Sequence, residues 1–167
     1  MFATLALLPA GPQAAAMPMQ TAICAGASEP LPASMEGWDQ PRPAKASANS
    51  GAATLLQLGT SVTAALLPTS KVGFAIDPKK PGSPDSSGGM FAFVVPTGGR
   101  YRVALGSGAW IDVLRGTTPV ASVAHAHGPA CSTVRKMVDF DLKPGRYLLQ
   151  IAGSDTTTLP VMVLRLM

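Results

Sequence analysis

The 167-residue sequence predicts an all-β domain, a single antiparallel β-sandwich of jelly-roll or Greek-key type with about 8–10 short strands. Three observations predict it. From Gly51 onward, short apolar runs are each bounded by Gly, Pro, Asn, Asp or Ser, the punctuation of strands joined by turns. No amphipathic helix of normal length interrupts them, and 16 prolines and 17 glycines disfavour one. Alternation is strict where Tyr101, Val103 and Leu105 share one strand face and Arg100, Arg102 and Ala104 share the other, which predicts one buried and one wet face.

Every charged side chain lies at or beyond Glu29. Phe2 to Leu8 reads as a short apolar core of an export signal, and Ala14-Ala15-Ala16 or Ala25-Gly26-Ala27 supplies the small residues that signal peptidase cuts. Residues 1–27 are therefore expected to be a signal peptide. The alternative is an apolar N-terminal tail, because a basic leader is missing and Pro9 and Pro12 break the run. No stretch approaches the ~20 apolar residues that span a bilayer, so no transmembrane helix is expected. Cys24 and Cys131 are the only cysteines, and an even count in an exported chain favours a disulfide between them. Cleavage after residue 16 retains Cys24, which favours that site.

Residues 28–50, rich in Pro, Ala and Ser, read as an extended lead-in. Pro41 and Pro43 exclude a regular helix, and Trp38 is the bulky residue expected to cap the core. Residues 51–167 form the predicted sandwich domain. Its strands are expected at Ala53–Leu58, Val62–Leu67, Val72–Ile76, Met90–Val95, Arg100–Leu105, Trp110–Arg115, Val120–His125, Val134–Leu142, Arg146–Ala152 and Pro160–Leu166. Between them, Asp77 to Gly89 has three prolines, three glycines and no large apolar residue, so it reads as a surface loop.

Two segments repeat one design. Phe93 to Leu105 and Phe140 to Ile151 each end a strand in a Pro/Gly turn, through Pro96, Gly98 and Gly99 or through Pro144 and Gly145, and each reopens on Arg-Tyr. Proline fixes φ in such a turn, glycine supplies positive φ, and Tyr101 or Tyr147 can bury its ring while its hydroxyl meets backbone polar groups. This is the logic of a tyrosine corner.

On these Pro/Gly-x-Tyr turns, the Trp110-Ile111-Asp112-Val113-Leu114 strand and the final hairpin, roughly Gly51 to Leu166 resembles the bacterial pre-peptidase C-terminal domain and related jelly-roll-like secreted modules. That resemblance implies an accessory β-sandwich of envelope enzymes. Gly89-Met90-Phe91, Tyr101 to Gly106, Trp110 to Val113 and His125 to Cys131 are also similar to small secreted proteins of sphingomonad-type bacteria, which often carry the label homogentisate 1,2-dioxygenase. True homogentisate dioxygenases resemble much larger cupin proteins with a His, His, Glu iron site. This chain has two histidines and no glutamate beyond Glu36.

His125 and His127 are one residue apart, so on a strand their rings would leave the same face and could chelate one metal. A third donor would come from Asp112 or Asp139. The competing reading seats both histidines in a polar turn beside the disulfide, hydrogen-bonded to backbone. The net charge of +4 is scattered, without the basic stripe that a nucleic-acid groove needs. Ser107 and Ser132 lack a nucleophile elbow, so a serine hydrolase is unsupported. The function these residues favour is an exported, non-catalytic envelope module that binds a protein or glycan partner or stabilises an assembly, with no cofactor. The alternative is a small metal-dependent enzyme, an oxygenase among others, holding one iron, zinc or copper ion at His125 and His127.

Overall fold

A computed structural model describes Cys24 and residues 29–167. The export-signal reading of residues 1–27 lies, Cys24 apart, outside the described residues. The strands run in chain order β1 (Arg42–Lys45), β2 (Thr54–Leu56), β3 (Val62–Ala65), β4 (Leu67–Pro68), β5 (Ser87–Val95), β6 (Gly99–Leu105), β7 (Trp110–Arg115), β8 (Thr118–Pro119), β9 (Ala124–Ala126), β10 (Lys136–Leu142), β11 (Gly145–Ser154) and β12 (Thr158–Arg165). They form two packed sheets, ordered β1-β3-β12-β6-β10-β9 and β2-β5-β11-β7-β8, with β4 also on β5. The fold is an all-β sandwich.

The core lies between the sheets, where the alternating inward residues of each strand meet. Val103, Leu105, Val138 and Phe140 of the first sheet are buried with Phe91, Phe93, Val113 and Leu149 of the second. The simple alternation of buried and wet faces fails in the central strands. Seven consecutive residues from Ser87 to Phe93 are buried in β5, because both outer faces carry a cover. Met35 and Trp38 of the lead-in pack on the outer face of the first sheet with Ala104, Met137, Met162 and Leu164. Trp38 thus caps that outer layer rather than the core, and its indole N–H donates to Thr133 Oγ1 at 2.7 Å.

Residues 72–76, expected as a strand, instead cover the outer face of the second sheet, where Val72, Ala75 and Ile76 pack against Met90, Ala92, Leu114 and Leu148. The reason is Gln150. Its buried side-chain amide accepts from Ala75 N at 2.6 Å and Ile76 N at 3.2 Å and donates to Ile76 O at 3.1 Å, replacing the partner strand that this segment lacks. The Asp77 to Gly89 loop is also shorter than expected. Ser86 to Gly89 are buried and residues 87–89 extend β5, since this stretch pairs with β4 and β11.

Two pairings depart from the expected antiparallel pattern. β1 runs parallel to β3, and β2 parallel to β5. The lead-in therefore belongs to the sandwich: β1 joins the first sheet, while Ser47 exchanges backbone hydrogen bonds with Met90 of the second, at 2.9 and 3.0 Å. This side of the sandwich is laced shut.

The two echoed sequence segments form equivalent corners, each carrying the chain from one sheet to the other. Tyr101 Oη donates to Thr97 O at 2.7 Å, and Tyr147 Oη to Lys143 O at 2.9 Å. Gly99 and Gly145 open the following strands at φ +156° and +147°, a region closed to L side chains. Tyr101 pairs across the sheet with Phe140, and Tyr147 with Phe93, whose ring stacks on it at 5.6 Å. Arg165 donates to Gly98 O at one corner and Arg115 to Pro144 O at the other. Exchanging β5, β6 and β7 for β10, β11 and β12 reproduces the strand pairing with the sheets swapped. The sequence echo is thus an internal two-fold relation in the fold.

Candidate functional site

Opposite the laced side, residues 120–123 cross between the sheets and leave a cleft of about 490 Å³. Its floor consists of core residues Ile111, Val138 and Phe140 with half-buried Val120. β8 pairs only with Leu114 and Arg115, so the preceding half of β7, Trp110 to Asp112, is a sheet edge. The cleft runs round that edge and is lined by Trp110 and Asp112 as well as by Ile111.

Charge gathers at the mouth. The ammoniums of Lys80 and Lys136 lie 5.7 and 5.6 Å from the Trp110 ring centroid, within cation–π range. Lys136 shares its strand face with Val138, Phe140 and Leu142, an inward register, and it reaches across the mouth to donate to Ala109 O at 2.7 Å. Burial lowers the pKa of this ammonium, and the nearby Lys80 lowers it further, against the opposing pull of Asp112. Trp110 Nε1 donates to Asp112 Oδ2 at 3.0 Å. Burial pushes the Asp112 carboxyl above the ordinary aspartate range, although the Trp110 and Gln150 hydrogen bonds and the charges of Lys79 and Lys136 pull it down.

The four residues proposed as metal ligands are divided. His125, itself exposed, pairs with Val138, shares its face and lines the cleft; Asp112 lines it too, from the outward face of β7 between Ile111 and Val113. His127 lies beyond the end of β9, exposed, with Nδ1 3.1 Å from Arg135 O. Asp139 is one residue on from Val138 and so faces the other side of the sheet. There Arg102 Nε and Nη2 grip its two carboxylate oxygens at 2.7 and 2.9 Å. Among the described residues, no three His, Cys, Asp or Glu side chains gather into a group able to hold a metal ion. His125 and Asp139 thus face opposite sides of the first sheet.

Cys24 and Cys131 are joined in a disulfide, with Cα atoms 5.5 Å apart. It ties the chain ahead of the lead-in to the segment between β9 and β10, where Glu29 N also donates to Ala130 O. The sequence reading missed Lys80, Trp110, Val120 and Lys136 as site residues. One signal was present: Lys136 is the charged member of an otherwise apolar alternating set with Val138, Phe140 and Leu142. Lys80 had none, since its place beside Trp110 depends on how the loop returns. No helix among the described residues is long and apolar enough to cross a membrane. Comparison with protein-family models gives no match, and neither does comparison with curated proteins, so the site rests on its own geometry.

Proposed function

We propose that this protein is an exported, non-catalytic β-sandwich module of the bacterial cell envelope that binds an envelope component through the cleft between its sheets. The supporting observation is the cleft itself: an apolar floor of core side chains beneath a mouth of convergent polar groups, the usual composition of a binding site. The disulfide fits an oxidising compartment outside the cytoplasm. A two-sheet sandwich without an elaborated second domain among the described residues is compatible with an accessory role beside envelope enzymes.

Co-sedimentation with isolated envelope material tests the reading. Val120→Trp should fill the cleft from its half-buried position at the floor. The wild type is expected to sediment with the envelope, and the variant, with an unchanged melting temperature, to stay in the supernatant. Equal sedimentation of the two, or none by the wild type, would refute binding through the cleft.

A further inference from the structure

We propose that the ligand of the cleft is a small anionic amphiphile, an apolar body bearing one carboxylate, held at the mouth by Lys136 and Lys79 with Lys80 beside Trp110, and at the floor by the core side chains. This rests on the reading of the cleft as a binding site and names the chemistry it selects.

Two independent features converge on that class. The first is a pair of like charges held beside one ring: both ammoniums lie within 5.7 Å of the Trp110 centroid, and among the described residues neither is in an ion pair. Lys136 and Lys79 line the cleft, and Lys80 stands beside its Trp110 wall. Of the two lining carboxylates, Asp112 is engaged by the Trp110 indole and Asp77 is exposed. An anion entering the mouth beside Lys136 relieves the repulsion that Lys80 imposes on that ammonium and gains a charge-assisted contact in a partly desolvated place. The second feature is the floor, where Ile111, Val138 and Phe140 present apolar surface that a small hydrophilic anion cannot use. A volume of about 490 Å³ falls within the range for small organic ligands. A neutral sugar fits less well, because the ammoniums already attend the indole on which its ring would stack.

Titration of the intact, disulfide-bonded protein with octanoate, 1-octanol and acetate separates the contributions, with the Trp110 indole N–H and the His125 ring followed by NMR. Octanoate should shift both signals and bind about tenfold or more tighter than either 1-octanol or acetate. Lys80→Met, at an exposed loop position, should lower the preference for octanoate over 1-octanol severalfold, with Lys136 and Lys79 keeping the remainder. Equal affinity for octanoate and 1-octanol would overturn the anionic selection while leaving the cleft a binding site. Acetate matching octanoate would overturn the apolar part. If octanoate leaves both signals unmoved while the envelope still retains the protein in a cleft-dependent way, the ligand class is wrong and the binding module stands.

Discussion

Tyr101 and Tyr147 hold equivalent corners through one hydroxyl each, and both rings are buried. Replacing either by Phe removes the bond to the carbonyl four residues back and keeps the ring. Each change should cost about 1–2 kcal/mol in urea unfolding, with Tyr147→Phe the costlier because the Tyr147 hydroxyl also accepts from Lys143 N at 3.1 Å. No cost at either tyrosine would show that the hydroxyls do not hold the corners. The corners were legible in the sequence because Pro, Gly, Arg and Tyr repeat in order. Asp112 makes a second prediction at this scale. Its folded pKa is raised, chiefly by burial, so its contribution to stability is present in full below the ordinary aspartate range and is lost as pH rises through the folded value. Asp112→Asn keeps an acceptor for the Trp110 indole. It should therefore be more stable than the wild type at neutral pH, with the gap closing near pH ~3. Thermal melts giving the variant the lower midpoint at pH 7 would contradict this.

Strand ends followed the turn residues closely: Trp110–Arg115 was expected and is observed, and the strands around both corners shift by only a few residues. The cover at residues 72–76 was not legible as such, because a short apolar run reads the same whether a strand or a side-chain amide satisfies its backbone. A buried Gln at position 150, inside an apolar strand, was the available hint. Gln150→Leu should cost about 2–4 kcal/mol and loosen residues 72–76, since Ala75 N and Ile76 N lose their acceptor. Hydrogen exchange at those two amides as slow as in the wild type would show that another acceptor serves them. The loop shortened by β5 leaves exposed Lys79 and Lys80, and Pro81 shields the bond after Lys80. Limited trypsin digestion should cut after Lys79 before cutting at Arg102 or Arg115. Early cleavage within β6 or β7 would mean that the sheet there is not formed in solution.

Across the whole molecule, the lead-in laces one side of the sandwich and the disulfide ties the chain on the other, between cysteines 107 residues apart. Reduction should lower stability by about 2–5 kcal/mol and leave the β-sheet circular dichroism intact at moderate temperature, because both cysteines lie outside the strands. The sandwich was legible from turn punctuation, the want of a helical pattern and the alternation at Arg100–Leu105. The site was not, since its pieces come from β7, β10, a loop and an inter-sheet crossing that only the strand order brings together. That placement makes the cleft the central claim, and hydrogen exchange of the protein with and without isolated envelope material tests it most directly. Slowed exchange confined to Trp110–Asp112, the crossing at 120–123 and Lys136–Val138 is the predicted result. Protection falling on β1 and β3 at the laced side, or appearing nowhere, would contradict it.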